Sequence, residues 1–179
     1  DPNNSNIVYI VTGDRDSSGS TFVGVYKSSD AGATWTVTGT ISGGSKASDI
    51  YVNPSDSNML WVATSNGLYK TLNAGTSWTR TLTGNIRDLK IKPTDPTVVY
   101  AVSSSVFYKS TDSGATFTAI TAGLPSSSGR LVIDVTPADP NYVYVFSVTT
   151  ANTYQGIYKS VDSGTTFAIT ANVTNVLES

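Results

Sequence analysis

Apolar and polar residues alternate along this chain in short runs, and the runs come in pairs. One kind of run reads IVYIVTG at 7–13, MLWVATS at 59–65, VVYAVS at 98–103 and YVYVFSV at 142–148. A second kind follows each of these: FVGVYKS at 22–28, GLYKT at 67–71, VFYKS at 106–110 and GIYKS at 156–160. Period-two alternation rich in β-branched and aromatic residues predicts half-buried strands. A third run, SDIYVN at 48–53, IRDLKI at 86–91 and RLVIDV at 130–135, precedes three of the pairs. A fourth, TWTVTG at 34–39, SWTRTL at 77–82, TFTAI at 116–120 and TFAIT at 166–170, follows all four. Labelled A to D in order, these runs predict four-stranded antiparallel units, the first without its A strand. The expected fold class is all-β, with no substantial helix.

Between C and D the chain carries one eight-residue turn four times: SSDAGATW at 28–35, TLNAGTSW at 71–78, STDSGATF at 110–117 and SVDSGTTF at 160–167. Aligned on Asp30, Asn73, Asp112 and Asp162, the copies place Gly two residues on, at Gly32, Gly75, Gly114 and Gly164. A hydroxyl stands four on, at Thr34, Ser77, Thr116 and Thr166. A large aromatic stands five on, at Trp35, Trp78, Phe117 and Phe167. Ser or Thr stands two before, Lys three before and Tyr four before. An Asp or Asn side chain accepts backbone N–H bonds in its own turn. Gly takes a positive φ without steric cost. The hydroxyl ties the outgoing strand to the loop, and the aromatic returns a large apolar area to a core. A catalytic role for the aligned acids does not fit: four equivalent positions spread around a rim do not converge on one substrate, and Asn73 can hydrogen-bond but cannot transfer a proton. The repeated Tyr26, Tyr69, Tyr108 and Tyr158 read as strand-packing positions.

In these turns the chain resembles the Asp-box repeat family, S-x-D-x-G-x-[ST]-[WF], over essentially its whole length. That family includes sialidases, sortilin-type ectodomains and xyloglucan-active endoglucanases. The resemblance implies a β-propeller, and each repeat would be one blade. It implies fold far more than function. The sialidase Arg cluster and the xyloglucanase catalytic acids match no position here, so no activity carries over with it.

A Pro-led turn precedes each B run: DPNNSN, NPSDSN, KPTDPT and TPADPN, with Pro2, Pro54, Pro93 and Pro137 spaced by 52, 39 and 44 residues. The boxes are spaced by 43, 39 and 50. A repeat near 40 with four strands suits a propeller blade. The expected organisation is a blade lacking its first strand at 1–43, complete blades at 44–83, 84–122 and 123–171, and a connection to a further blade at 172–179. Further blades of the same chain are expected on this reading.

Composition narrows the chemistry. The chain has no Cys and no His, which removes thiolate and imidazole catalysis and the commonest zinc sites. No cofactor and no metal is expected. Formal net charge is −2 and the cations are dispersed, so no nucleic-acid surface is expected. No apolar run reaches membrane-spanning length. A surface rich in Ser, Thr and Asn favours an extracellular or cell-surface location.

Connectivity sends the A–B and C–D turns to one face and the B–C and D–A loops to the other. The first set is regular; the second is long and unequal, which is where binding usually lives. The candidate ligand contacts there are Asp14, Arg15 and Asp16 from one B–C loop and Tyr154 and Gln155 from another. Arg87, Asp88 and Arg130 stand near the starts of A strands. Asp14-x-Asp16 opens like a calcium loop but lacks the later acids, so it reads as a solvated loop. No catalytic pair stands out. The expected role is a non-catalytic recognition or scaffold segment of a larger bacterial secreted or surface protein, meeting a polysaccharide or protein partner on the B–C/D–A face. The alternative is part of a glycoside hydrolase, xyloglucanase-like or sialidase-like, with its acids partly outside this segment. A sortilin-like peptide receptor is disfavoured, because no cysteine-rich module is present.

Overall fold

The structure is a computed structural model that describes residues 1–13, 24–43 and 46–171. Asp14, Arg15, Asp16 and the segment 172–179 lie outside the described residues. The chain divides into two compact units, Asp1–Ile86 and Arg87–Ser179. Among the described residues there is no helix, and every strand pair is antiparallel.

The first unit carries two sheets. One is β1 (Val8–Val11), β2 (Val25–Ser28) and β3 (Thr36–Val37), in that order. The other is β4 (Ala47–Asn53), β5 (Asp56–Thr64), β6 (Gly67–Thr71) and β7 (Thr79–Thr83), again in chain order. The second unit repeats the four-stranded meander twice. Its first sheet is β8 (Asp88–Ile91), β9 (Val99–Val102), β10 (Phe107–Ser110) and β11 (Thr118–Ile120). Its second is β12 (Arg130–Val135), β13 (Val143–Val148), β14 (Tyr154–Ser160) and β15 (Ala168–Ala171).

Alternation along each strand builds one core between the two sheets of each unit. In the first unit Tyr9 and Val25 meet Leu60, Val62 and Tyr69. In the second, Tyr100, Val102 and Phe107 meet Leu131, Ile133, Val143 and Val145. Each such apolar side chain contributes roughly 1.5–3 kcal/mol when fully buried. Tyr100 is wholly buried, and its hydroxyl donates to Ser163 O at 3.2 Å. Burial pushes its pKa up to about 12, so it stays a neutral donor.

The sequence leads one to expect four equally buried box aromatics, and the structure departs from that. Phe167 is 7% exposed, Phe117 and Trp78 are half-buried, and Trp35 is 37% exposed. The cause is directional packing. Phe167 of the fourth sheet lies edge-on against Phe107 of the third, with ring centroids 4.9 Å apart. Trp78 of the second sheet packs on the cluster of Tyr9 and Val25 from the first. Each of these aromatics is covered by the sheet before it in the chain. Trp35 belongs to the first sheet and has no such cover among the described residues.

Candidate functional site

The turn face is built from side chains that bond their own backbone. Asp112 Oδ1 accepts the Thr116 N–H at 2.9 Å, and Oδ2 accepts the Thr116 hydroxyl at 2.6 Å. Asp30 with Thr34 and Asp162 with Thr166 repeat the pair of bonds. In the second copy Asn73 accepts the Ser77 N–H, but its Nδ2 donates to Ser77 Oγ at 2.9 Å. The amide thus reverses one bond and keeps the turn. Residues one and two past the acid both take positive φ: Ser113 at 57° and Gly114 at 73°, with the same pattern in the other three copies.

The hydroxyl two residues before each acid has no role legible in the sequence alone, and the structure supplies one. Ser28, Thr71, Ser110 and Ser160 are buried; each donates to the acid or amide and accepts the N–H of the box glycine. The Pro-led turn is tied in as well. Asn6, Asn58, Thr97 and Asn141 carbonyls accept the N–H of Ala31, Ala74, Ser113 and Ser163 at 2.7–2.9 Å. Both signals are legible as repeated columns of small polar residues, Ser or Thr in one and Asn or Thr in the other. Their roles needed the three-dimensional pairing of A–B and C–D turns.

This arrangement fixes the state of the acids. Hydrogen bonds from the Thr34 hydroxyl and N–H hold Asp30 down to about 2, and the equivalent bonds hold Asp112 and Asp162 well below the usual carboxylate range. The remaining aspartates among the described residues, Asp88 apart, also accept local bonds. Asp56, Asp95 and Asp139 each take the N–H two residues on, Asp49 and Asp134 the next N–H, and Asp1 the Asn3 N–H. Among the described residues no group of three metal-ligating side chains is close enough to hold an ion.

The opposite face, in the second unit, carries a different surface. The β9–β10 turn and the β11–β12 loop enclose a cleft of about 290 Å³, lined by Ser105, Val106, Ile120, Thr121, Leu124 and Pro125, with Phe107 and Ser126 completing it. No ionisable side chain lines it. Apolar packing and hydrogen bonds both hold the loop: Leu124 packs against the core of the second unit. Gln155 Nε2 donates to Ser127 O at 2.9 Å, and its Oε1 accepts from Ser128 and Ser147 at 3.0 and 2.8 Å.

The other candidate residues are spread over the same unit. Asp88 accepts the Lys90 ammonium at 2.6 Å and the Ile133 N–H at 3.0 Å, and so ties β8 to β12. Arg87 is half-buried, and its N–H donates to Val102 O. Arg130 is exposed at the start of β12. Tyr154 opens β14 with its ring 5.8 Å from that of Phe146. Hydrogen bonds bring Gln155 to the cleft-forming loop and Asp88 to β12.

The architecture has clear counterparts among solved structures. An ancestral GH74 enzyme superposes over 96% of this chain with a TM-score of 0.78 at 22% identity. An auxiliary nutrient binding protein from Bacteroides thetaiotaomicron superposes over 94% with a TM-score of 0.63 at 18% identity. These sheets are β-propeller blades. YCF48 from Cyanidioschyzon merolae matches 95% of the chain with a TM-score of 0.55 at 14% identity. The chain spans 23%, 40% and 58% of these three proteins. No family model matches the chain, and no curated protein matches it.

Seen as blades, two further columns gain a role. The box lysine lies over the B-strand aromatic of its own blade: Lys27 over Tyr9, Lys70 over Trp61 and Lys159 over Tyr144, at 5.5–6.0 Å. Just past strand D, Gly39 donates its N–H to Gly75 O of the next blade at 2.7 Å, and Ala122 O accepts the Phe167 N–H at 3.0 Å. The backbones approach so closely there that a Cβ on Gly39 would stand 2.1 Å from Thr76 O.

Proposed function

We propose that this chain is a non-catalytic recognition segment of a larger extracellular or cell-surface protein, and that it binds a neutral polysaccharide on its B–C/D–A face. The observation that carries the reading is the cleft between Val106 and Leu124–Pro125. Its walls are apolar, its rim carries the Ser105, Thr121 and Ser126 hydroxyls, and it holds no charge. A sugar ring offers the matching surface: C–H groups on one face and hydroxyls around the edge. A polyanion finds no cation cluster there. The loop is held by the Gln155 network, so the wall is pre-formed and little ordering cost attends binding.

The state of the aspartates supports a binding role over a catalytic one. A glycosidase needs one carboxyl kept protonated near neutral pH and a second acting opposite it. Asp30, Asp112 and Asp162 are pushed the other way, and their oxygens already hold Thr hydroxyls. The GH74 likeness keeps the alternative in view: part of a glycoside hydrolase whose acids lie partly beyond this segment.

Affinity electrophoresis in gels containing xyloglucan, mixed-linkage β-glucan or galactomannan tests the reading, with an anionic pectin as the contrast. Retardation by a neutral polymer is expected, and Val106→Asp should abolish it while leaving the far-UV spectrum unchanged. Absence of retardation by every neutral polymer, or retardation that survives Val106→Asp, refutes the cleft. Release of reducing ends from the same polymers favours the hydrolase reading instead.

A further inference from the structure

The two units use the same tyrosine differently. Tyr69 of the second blade and Tyr158 of the fourth hold one position in strand C, each opposite a buried valine of strand B, Val62 and Val145. Each ring packs on the core of its own unit. Tyr69 is 6% exposed, and its hydroxyl lies 2.9 Å from Ser42 O and 3.0 Å from Asn66 Oδ1, sharing its proton between them. Ser42 belongs to the loop that leaves strand D of the first blade. It follows Ile41, which is buried in the same core. The Tyr69 hydroxyl therefore pins that loop down over the end of the blade contact.

The corresponding bond is missing in the second unit. Leu124 packs on its core as Ile41 packs on the first, and Pro125 follows Leu124 as Ser42 follows Ile41. Leu124 is only half-buried, however, and Pro125 lines the open cleft. Gln155, the extra residue of the bulge opposite Ser147 and Val148, ties this loop through Ser127 and Ser128 instead. Among the described residues the Tyr158 hydroxyl has no hydrogen-bond partner, and it is not sealed in the core.

The hydroxyl is free, but the ring is not. Tyr158 packs on the cluster that contains Phe107, and Phe107 is itself a wall of the cleft. Gly156 makes room for the ring: a Cβ there would stand 2.9 Å from Tyr158 Cε2 and 3.1 Å from Cζ. Gly156 lies on the B–C loop side of Tyr158 in β14, so the hydroxyl-bearing end of the ring is turned toward the B–C/D–A face. Burial raises the Tyr158 pKa and keeps the phenol a neutral donor.

We propose that the Tyr158 hydroxyl is the hydrogen-bonding group of the cleft, and that a sugar oxygen takes the place Ser42 O fills beside Tyr69. This assignment rests on the cleft binding a neutral polysaccharide. Ser42 O shows which acceptor suits the position: an uncharged oxygen, which a sugar hydroxyl or ring oxygen supplies. The C–H face of the ring would lie on Val106 and Pro125, with one edge oxygen on Tyr158. A hydrocarbon of the same size would displace water from the phenol and return no bond, so Tyr158 selects for hydroxylated rings.

Tyr158→Phe removes one oxygen and no packing. Affinity electrophoresis in xyloglucan, mixed-linkage β-glucan and galactomannan gels compares the variant with wild type, and urea unfolding followed by far-UV circular dichroism reads the fold. The dissociation constant should rise about three- to tenfold, the loss of one neutral hydrogen bond, with the urea midpoint unchanged. Tyr69→Phe should do the reverse, because Ser42 O loses its donor: a lower midpoint with retardation unchanged. A wild type that no neutral polymer retards overturns the cleft reading and this assignment with it. Retardation that Val106→Asp abolishes but Tyr158→Phe leaves at wild-type strength overturns the role of Tyr158 alone. So does a urea midpoint that falls for Tyr158→Phe, since the hydroxyl would then serve the fold.

Discussion

Adding one methyl group at three glycines separates two kinds of constraint on these blades. Gly84 has φ +112° and open space around its missing Cβ, so Gly84→Ala bears only on conformation. An alanine at positive φ costs about 1–2 kcal/mol, partly offset by about 0.4–1 kcal/mol from a stiffer unfolded chain. The net loss should be about 1 kcal/mol. Gly39 shows no such φ, but its Cβ would stand 2.1 Å from Thr76 O and 2.9 Å from Gly75 O, both backbone atoms. Relief requires the strands to part and the Gly39–Gly75 hydrogen bond of 2.7 Å to break. Overpacking costs typically about 1–3 kcal/mol and the lost bond about 0.5–1.5, so Gly39→Ala should cost about 2–4 kcal/mol. Gly123 combines both, with φ +79° and backbone of Phe167 in the way, and should cost about 3–5 kcal/mol. Trp35, Trp61 and Trp78 all lie in the first unit, so urea unfolding followed by tryptophan fluorescence reads Gly39→Ala and Gly84→Ala; far-UV circular dichroism reads Gly123→Ala. If Gly39→Ala is as mild as Gly84→Ala, the close approach after strand D does not join the blades.

The box aromatics should rank by cover. Phe167→Ala should cost about 3–5 kcal/mol and Trp35→Ala about 1–2, with Phe117→Ala and Trp78→Ala between them, by urea unfolding; equal losses at Phe167 and Trp35 would refute directional packing. Acid should destabilise the turns, because folded Asp30 titrates near 2 and an unfolded Asp near about 3.9. Its stabilising effect is full above the unfolded value and disappears as pH falls from about 4 to about 2. Asp30→Asn should therefore flatten the fall in the urea midpoint of the first unit between those pH values. A fall as steep as wild type would contradict the bond assignment.

Much of the fold is legible in the sequence because its signals are local. Period two in IVYIVTG or YVYVFSV gives a strand, and an Asp with Gly two residues on gives a turn. Each rule operates within a few residues, and four copies average out accidents. Cover by a neighbouring sheet is not local. Trp35 and Trp78 sit in nearly the same octapeptide, and their burial differs because Trp78 packs on the core cluster shared with the first sheet, while no such cluster covers Trp35 among the described residues. The Gly39 contact is similar: the dipeptide Thr38–Gly39 is visible, but its reason lies in Thr76, on the next blade.

The loop face was harder to read for a different physical reason. Polar residues in long loops look alike in sequence whether they face solvent or hold the loop together. Gln155 reads as an exposed donor, yet three serine groups take up its amide. The apolar members of the same loop, Leu124 and Pro125, do not stand out against a strand-rich chain, although they wall the cleft. The two observations belong together. The wall is fixed from two sides: Leu124 packs against the core of the second unit, and hydrogen bonds to Gln155 tie down the loop beside it. That makes Gln155 a positioning residue for the proposed site and places direct recognition on the wall and hydroxyl rim beside it.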